Sequence, residues 1–162
     1  NMVQRLDEGM QSLAEVIKKT TGKDITNYPG AGAAGGMGGG LLAFFNAELK
    51  PGTELLLKAI DFSEKIKGAD LIITGEGKAD RQTAMGKVPY GILKEAQKEH
   101  IPVIVLAGSI ENLPELNKAG FKGIFSIAPG PITLEKAMEP EFAKENITRL
   151  VSQLYSVITS FG

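Results

Sequence analysis

The sequence contains no cysteine among its 162 residues. Disulfide bonds, thiolate nucleophiles and cysteine-ligated zinc sites are therefore excluded. A reducing compartment is compatible with this composition, and we expect a cytoplasmic protein. Basic and acidic residues nearly balance, with 18 Lys and Arg against 19 Asp and Glu. No overall basic surface for nucleic acid or for an anionic membrane is predicted, so any anion site must be local.

Long apolar stretches are also absent, and histidine is scarce. No uninterrupted apolar run approaches the roughly 20 residues of a membrane-spanning helix, so no membrane partner is expected. The N-terminus lacks the charged and then apolar order of a signal peptide. The single histidine, His100, is expected at the exposed C-terminal end of a helix, where the helix dipole favours a positive charge. A Ser-His-Asp triad would have to use this residue, and nothing near it supports one.

The chain does contain enough apolar residues for one real core, because 43% of it is hydrophobic. Apolar side chains at helical spacing predict an amphipathic helix from Met2 to about Lys19, which Gly22 is placed to end. The first residue is Asn1, and Met2 enters what looks like the middle of a helix. We therefore expect a fragment of a longer protein.

From Ala69 onward, short apolar strands alternate with helices. The pattern predicts strands at 71–74, 103–107 and 124–127, and helices at 89–98, 113–119 and 142–159. Alternation with short connections indicates an α/β fold, with parallel strands and helices on the faces of the sheet. Three strands are few for such a sheet. The earlier helical and glycine-rich part is therefore expected to be a separate layer or to belong to another lobe, with a boundary near residue 67.

A polar, glycine-rich segment follows the first predicted strand and runs from Gly75 to Val88. Its lysines suit phosphate oxygens, its carboxylates suit Mg²⁺ or a hydroxyl proton, and its glycines let main-chain N–H groups approach an anion. Gly75, Gly77 and Gly86 permit tight or left-handed backbone. The segment is longer than the usual 2 to 6 residues of such a connection, which favours a functional loop for a phosphorylated ligand.

Individual residues of this segment have different expected roles. Asp80 is the preferred metal ligand or general base. Glu76 is the second choice, because it directly follows the first predicted strand and its backbone is therefore held rigidly. Gln82 and Thr83 either contact the ligand or cap a helical turn. Pro89 is expected at the first position of the next helix, which places the positive end of that helix beside the segment.

Three further features of the sequence are the residues around Lys87, the single residue Ser109 and a glycine tract. A P-loop is excluded around Lys87, because Arg81 stands where its first glycine is needed and Val88 stands where Ser or Thr is needed. Ser109 follows the second strand, either as a ligand contact or as a cap. The third pattern is the glycine tract that begins at Gly30.

Gly30, Gly32 and Gly35 satisfy G-x-G-x-x-G, but a dinucleotide site requires a firm strand before this motif. Residues 24–29 are polar and end in proline, so this requirement is not met. Two alternatives remain for the tract. It either opens a helix that packs closely on a neighbour, or it forms a main-chain anion or substrate pocket from Gly30 to Gly36.

Three segments, read in order, carry a family resemblance: PGAGAAGGMGGGLLAFFNAELKPG, ADLIITGEGKADRQTAMGKVPYGI and IPVIVLAG. Together they resemble the C-terminal part of the bacterial glycerate kinases of type I. The family pattern T-G-E-G-x-x-D-x-Q-T-x-x-G-K is matched at Thr74, Gly75, Glu76, Gly77, Asp80, Gln82, Thr83, Gly86 and Lys87.

The resemblance implies ATP- and Mg²⁺-dependent phosphorylation of D-glycerate to a phosphoglycerate, in an enzyme of two α/β lobes with the active site between them. Residues 68–162 would be the C-terminal half of a Rossmann-like (flavodoxin-like) lobe. Residues 1–67 would be the C-terminal end of a second, inserted lobe. The partners are then glycerate, ATP and the missing N-terminal part of the same enzyme, with homo-oligomerisation left open. We expect the chain alone to be inactive.

The expected site follows from the resemblance together with the residue types. Asp80, Glu76 and Lys87 are the expected catalytic residues, and Asp80 and Glu76 are also the expected metal ligands. The expected contacts to substrate or nucleotide are Gly30, Gly32, Gly35, Gly36, Gly75, Gly77, Gln82, Thr83, Gly86 and Ser109. The alternative is a non-catalytic, flavodoxin-like module that binds a nucleotide or metabolite.

Overall fold

The computed structural model describes residues 1–111 and 113–160. The chain divides into two compact units, Asn1–Pro51 and Gly52–Gly162. The boundary near residue 67 concerns the lobes of a complete enzyme and stays a prediction. No helix in these described ranges is long and apolar enough to cross a membrane.

The first unit contains two helices, α1 (Met2–Thr21) and α2 (Ala33–Phe45). The Asn1 side chain caps the start of α1 by accepting a hydrogen bond from the Val3 N–H group. Gly22 ends the helix in the left-handed conformation, with φ of 75°, and its N–H group donates to the Lys18 carbonyl. The predicted helix and its glycine stop are therefore confirmed. The core of this unit is small: Ala14, Ile17, Ile25, Ala31, Leu42 and Ala43.

The glycine tract opens α2 less simply than the sequence predicted. Ala34, Gly35 and Gly36 have φ values of 50°, 67° and 88°, which are not helical, so regular helix begins only after them. Further along, a Cβ atom at Gly38 would lie 2.5 Å from the Gly30 carbonyl oxygen. A Cβ atom at Gly39 would lie 2.6 Å from Ile25 Cδ1. These contacts favour close packing as the reason for the later glycines of the tract.

The second unit is an α/β structure with a three-stranded parallel sheet in the order β1-β2-β3. The predicted α/β class is therefore confirmed. The strands are β1 (Ile72–Ala79), β2 (Val103–Ile110) and β3 (Gly123–Ser126). The helices are α3 (Gly52–Ala59), α4 (Phe62–Lys65), α5 (Val88–Lys98), α6 (Leu113–Ala119), α7 (Leu134–Ala137) and α8 (Pro140–Thr159), with a 3₁₀ helix at Arg81–Met85.

The central strand β2 carries the core of this unit. Residues 103–107 of β2 are all buried, as expected for the middle strand of a parallel sheet. Val103 and Val105 pack in one cluster with Leu93 of α5 and Leu116 of α6. This packing fixes the carboxyl ends of the strands, where polar residues of the 75–88 segment emerge.

The strand ends differ from the predicted ones. β1 continues to Ala79 instead of ending at Thr74, because the pairing with β2 continues through Lys78↔Ser109 and Ala79↔Ile110. Ser109 is therefore part of β2 and does not lie in the turn after it.

The same extension sets the backbone conformation of two glycines. Gly75 and Gly77 lie within β1, and of the three glycines that permit unusual backbone only Gly86 has a positive φ, of 124°. Gly75 and Gly77 do not use this freedom, because they belong to an extended strand. Helix α5 begins at Val88, one residue before the position predicted from Pro89. His100 is exposed just beyond α5, as predicted.

Gly108 lies in β2 at a point where the paired strand leaves no room for a side chain. A Cβ atom at Gly108 would lie 2.7 Å from the Gly77 carbonyl oxygen. We expect Gly108→Ala to lower the free energy of unfolding by about 1–3 kcal/mol, because backbone must shift to admit the methyl group. Urea denaturation measures this change. Gly77→Ala is the matched control, since nothing lies within 4 Å of a Cβ atom there, and equal stability of the two variants would contradict the prediction.

Candidate functional site

Three charged side chains meet at the carboxyl end of β1. Lys87 Nζ lies 3.2 Å from Glu76 Oε1 and 3.4 Å from Asp80 Oδ1. Glu76 belongs to β1, Asp80 directly follows it, and Lys87 is the N-cap residue of α5. The carboxylates are mostly buried, with side-chain exposures of 15% and 20%, and Lys87 is 36% exposed. The structure thus brings together the three residues expected to be catalytic.

Asp80 is held by the start of the 3₁₀ helix. Its Oδ1 atom accepts hydrogen bonds from the backbone N–H groups of Gln82 at 2.8 Å and Thr83 at 3.3 Å. In return, the Asp80 N–H group donates to Thr83 Oγ1 at 3.0 Å. This reciprocal arrangement is a capping box, which the spacing of Asp80 and Thr83 allows. The carboxylate therefore has a fixed orientation.

The second oxygen of Asp80 is unengaged. All hydrogen bonds to this carboxylate from the described residues go to Oδ1, including that from Lys87. No buried side-chain polar atom within residues 1–111 and 113–160 lacks a partner, so Oδ2 must be open to solvent. The protein therefore holds this carboxylate by one oxygen and leaves some surface of the other exposed.

Both oxygens of Glu76 are engaged, in contrast to those of Asp80. Oε2 accepts a hydrogen bond from Thr83 Oγ1 at 2.6 Å, and Oε1 faces Lys87 Nζ. Thr83 itself is completely buried. The two carboxylates of the site therefore differ in what they can offer to a ligand.

The charges of the site act on one another. Desolvation opposes the charged form of Lys87, but Glu76 and Asp80 outweigh it, and the pKa of Lys87 is raised above its usual value. Desolvation also acts to raise the pKa of Asp80. The hydrogen bonds from the Gln82 N–H group and from Lys87 outweigh that effect, so the pKa of Asp80 is lowered. Both groups are therefore charged at neutral pH.

These shifts predict a pH dependence of stability. Because the pKa of Asp80 is lowered in the folded state, its contribution is present above the ordinary value of 3.8 and is lost as pH falls through the lowered pKa. We expect Asp80→Asn to lose less stability than the wild type between pH 7 and pH 3, measured by urea denaturation. An equal acid sensitivity of Asp80→Asn and the wild type would refute the linkage.

Other residues predicted for the site lie around this cluster without joining it. Gln82 and Gly86 are exposed, and Gln82 contributes its backbone N–H group to Asp80. Ser109 is exposed and is paired in register with Lys78. Lys78 forms an ion pair of 2.8 Å with Glu111 that the sequence did not predict. The pairing of β1 with β2 continues through Lys78 and Ala79. A prediction of these longer strands would have brought Lys78 close to Glu111.

The glycine tract belongs to the other unit, where a cavity of about 480 Å³ is present. Gly32 and Gly36 line it, whereas Gly30 and Gly35 do not. The polar lining consists of Asp7, Gln11, Glu15, Lys18, Thr26 and Asn27. The one cation among these lining residues, Lys18, is paired with Asp24 at 2.6 Å. The lining therefore offers little for an anion.

Two carboxylates of this site are candidate ligands for a magnesium ion. Among the described residues, no group of three or more His, Asp or Glu side chains is placed to hold a metal. Glu76 and Asp80 provide two carboxylates that already share one cation, Lys87. Proteins that bind Mg²⁺ with a nucleotide often use only one or two carboxylates, with phosphate and water oxygens completing the shell. The residues fit Mg²⁺ under that condition.

Comparisons with known proteins agree on one family. Residues 1–159 match the model of the glycerate kinase family. The chain is similar to a glycerate kinase of Halalkalibacterium halodurans, with 44% identity over 138 residues, 85% of this chain and 36% of the relative. It is similar to a glycerate kinase of Bacillus cereus, with 41% identity over 157 residues, 96% of this chain and 41% of the relative.

Two further relatives agree. A glycerate 2-kinase of Escherichia coli is 42% identical over 149 residues, covering 91% of this chain and 39% of the relative. A crystal structure from Salmonella typhimurium LT2, described as a glycerate kinase 2, matches with a TM-score of 0.70 and 34% identity, over 98% of this chain and 40% of that one. The chain thus spans about two fifths of the length of these relatives. With a family model matched along nearly all of its length, the chain belongs to the glycerate kinase family.

Proposed function

We propose that this chain is part of a kinase that transfers the γ-phosphoryl group of ATP to D-glycerate with the help of Mg²⁺. The observation that carries the proposal is the Asp80 carboxylate, which is fixed through Oδ1 and open at Oδ2 next to a lysine. Phosphoryl transfer needs little covalent chemistry from a protein and depends mainly on positioning and charge neutralisation. A fixed carboxylate and a nearby ammonium group are suited to both tasks.

In this proposal, Asp80 Oδ2 accepts the proton of the glycerate hydroxyl as that oxygen attacks the γ-phosphorus. The bond from the γ-phosphorus to the β,γ-bridging oxygen breaks, and ADP leaves with the electron pair. Asp80 is ionised at neutral pH because its pKa is lowered, so it is ready to accept a proton. The Lys87 ammonium group would neutralise a phosphate oxygen or the glycerate carboxylate.

As the alternative to accepting the proton, Asp80 Oδ2 would hold Mg²⁺, because it is the unengaged carboxylate oxygen of the site. Glu76 would join only if Lys87 or Thr83 released one of its oxygens. When bound, Mg²⁺ supplies neutralisation of the phosphate charge. If the Lys87 side chain moved out from between the two carboxylates, its positive charge would be available to the ligand.

The rest of the enzyme is the proposed partner of this chain. The relatives of this chain are more than twice as long as the chain itself, which matches only 36–41% of their length. The first unit exposes large apolar side chains at Met2, Val3 and Leu6 of α1 and at Phe44 and Phe45 of α2. Exposed apolar groups of this kind mark surfaces that another polypeptide covers. We therefore expect the 162 residues alone to show negligible kinase activity, which an assay for ADP release tests directly.

Calorimetric titration of the complete protein with ATP and with D-glycerate, paired with an assay for ADP, tests the proposed function. We expect both ligands to bind and ADP to form only when both are present. Binding of ATP without any ADP formation would identify the alternative, a non-catalytic nucleotide-binding module. The names of the relatives include both glycerate kinase and glycerate 2-kinase, so the phosphorylated hydroxyl is identified by NMR of the product.

A further inference from the structure

Thr83 has no exposed surface, yet its hydroxyl makes two hydrogen bonds inside the site. Oγ1 donates to Glu76 Oε2 at 2.6 Å and accepts from the Asp80 N–H group at 3.0 Å. A ligand cannot reach a side chain with no exposed surface unless the segment opens. Of the two roles expected for Thr83 from the sequence, this geometry provides the capping of a helical turn.

The two bonds also give the hydroxyl a direction. A threonine hydroxyl has one proton to donate, and here that proton is directed to Glu76. The bond is at the short end of the usual range for O–H···O contacts and involves a charged acceptor, which makes it one of the stronger kinds. The Glu76 carboxylate is thereby held, and its other oxygen faces Lys87 at 3.2 Å.

Capping alone does not account for a threonine at this position. In the usual capping box, the third helical residue is Glu or Gln, and its side chain bonds only to the N-cap N–H group. Thr83 makes that bond and still has a proton for Glu76. The hydroxyl therefore links the Glu76 carboxylate to the backbone of Asp80.

We propose that Thr83 and Glu76 are positioning residues that set the place of Lys87, and that Asp80 alone of the two carboxylates contacts the ligand. Thr83 orients Glu76, and Glu76 in turn holds the Lys87 ammonium group beside the open oxygen of Asp80. This proposal rests on the proposed function for its catalytic meaning. Its structural content stands on the contacts within the chain.

The test follows Lys87 in the 162-residue chain by NMR, with ¹³C at the lysine ε-carbons and Lys87→Arg to assign the signal. In the wild type we expect a high order parameter for the Lys87 ε-carbon, because Nζ lies between Glu76 and Asp80. Thr83→Val removes the hydroxyl and keeps the shape, so Glu76 is released and the order parameter of the Lys87 ε-carbon falls. Thr83→Ser keeps a hydroxyl and should restore the wild-type order parameter.

A control separates positioning from a general loss of stability. Thr133 caps α7 by accepting a hydrogen bond from the Lys136 N–H group, so Thr133→Val loses a cap far along the chain from the site. We expect it to lower stability without changing the order parameter of the Lys87 ε-carbon. The proposal is overturned if Thr83→Val leaves this order parameter unchanged, or if Thr83→Ser does not restore it. If circular dichroism shows that Thr83→Val is unfolded, Glu76→Gln is used, and an unchanged order parameter of the Lys87 ε-carbon there overturns the proposal.

Kinetics of the complete enzyme then connect positioning to catalysis. We expect Thr83→Val to lower kcat by about tenfold to a hundredfold, because misplacement of a charged group near the reacting atoms has effects of that size. Thr83→Ser should recover most of the loss, and failure to recover it contradicts the catalytic part. The NMR arm uses neither ATP nor glycerate. A Lys87 side chain that is ordered in the wild type and loses order in Thr83→Val, in an enzyme without kinase activity, would therefore overturn the proposed function and leave the positioning intact.

Discussion

Asp80→Asn in the complete enzyme is expected to lower kcat at least about a hundredfold without unfolding the protein. The substitution replaces Oδ1 or Oδ2 by an NH₂ group and removes the negative charge that accepts the hydroxyl proton. The amide oxygen can still accept hydrogen bonds from the Gln82 and Thr83 N–H groups, so the 3₁₀ turn should persist. Steady-state kinetics with ATP and D-glycerate measure the loss.

Asp70→Asn is the matched control for this substitution. It removes the same charge at an exposed acid that lies before β1, and we expect wild-type kcat and KM. Thermal denaturation of both variants shows whether either one is misfolded. Wild-type turnover in a folded Asp80→Asn enzyme would remove Asp80 from the mechanism.

Lys87→Met should also have a large effect, with a loss of about a hundredfold or more in kcat/KM. The methionine keeps much of the lysine stem and removes the ammonium group that lies between Glu76 and Asp80. The two carboxylates then repel each other and also repel an anionic substrate. We expect the largest rise in KM for the anionic ligand that Lys87 contacts. Separate measurements of KM for ATP and for D-glycerate therefore identify that ligand.

Lys78→Met is the control for the loss of a lysine in this part of the sheet. Lys78 belongs to the same strand as Glu76 and forms its ion pair with Glu111. Its charge acts on Asp80 and Lys87 through space, without an ion pair to the carboxylates of the cluster. Its side chain is half-exposed in a surface ion pair, and such pairs contribute little to stability. Equal kinetic losses in the two lysine variants would show that activity depends on the net positive charge of this region and not on the position of Lys87.

The α/β class was predictable because the strands and helices of the second unit have strong apolar patterns. The run from Val103 to Ala107 is buried throughout, and such a run indicates the middle of a parallel sheet. The ends of the strands were harder. Backbone pairing does not depend on side-chain polarity, so β1 continues into the polar residues from Gly75 to Ala79. The four-residue helix α7 has too few residues to show a period.

The residue types of the site were predictable, but their division of labour was not. The pattern placed Glu76, Asp80 and Lys87 in one segment, and the structure brings them together. That Thr83 turns inward is a consequence of the 3₁₀ turn and of packing beneath it, which no local pattern specifies. The same holds for the engagement of only one of the two carboxylate oxygens of Asp80.

The central claim is that these residues form part of a phosphoryl-transfer site for D-glycerate. The most direct measurement is transfer of the labelled γ-phosphoryl group of ATP to D-glycerate by the complete enzyme, with the Asp80→Asn enzyme run in parallel. We expect label in phosphoglycerate from the wild type and at least about a hundredfold less from the variant. Absence of labelled phosphoglycerate from a folded wild-type enzyme that binds both ligands would contradict the claim.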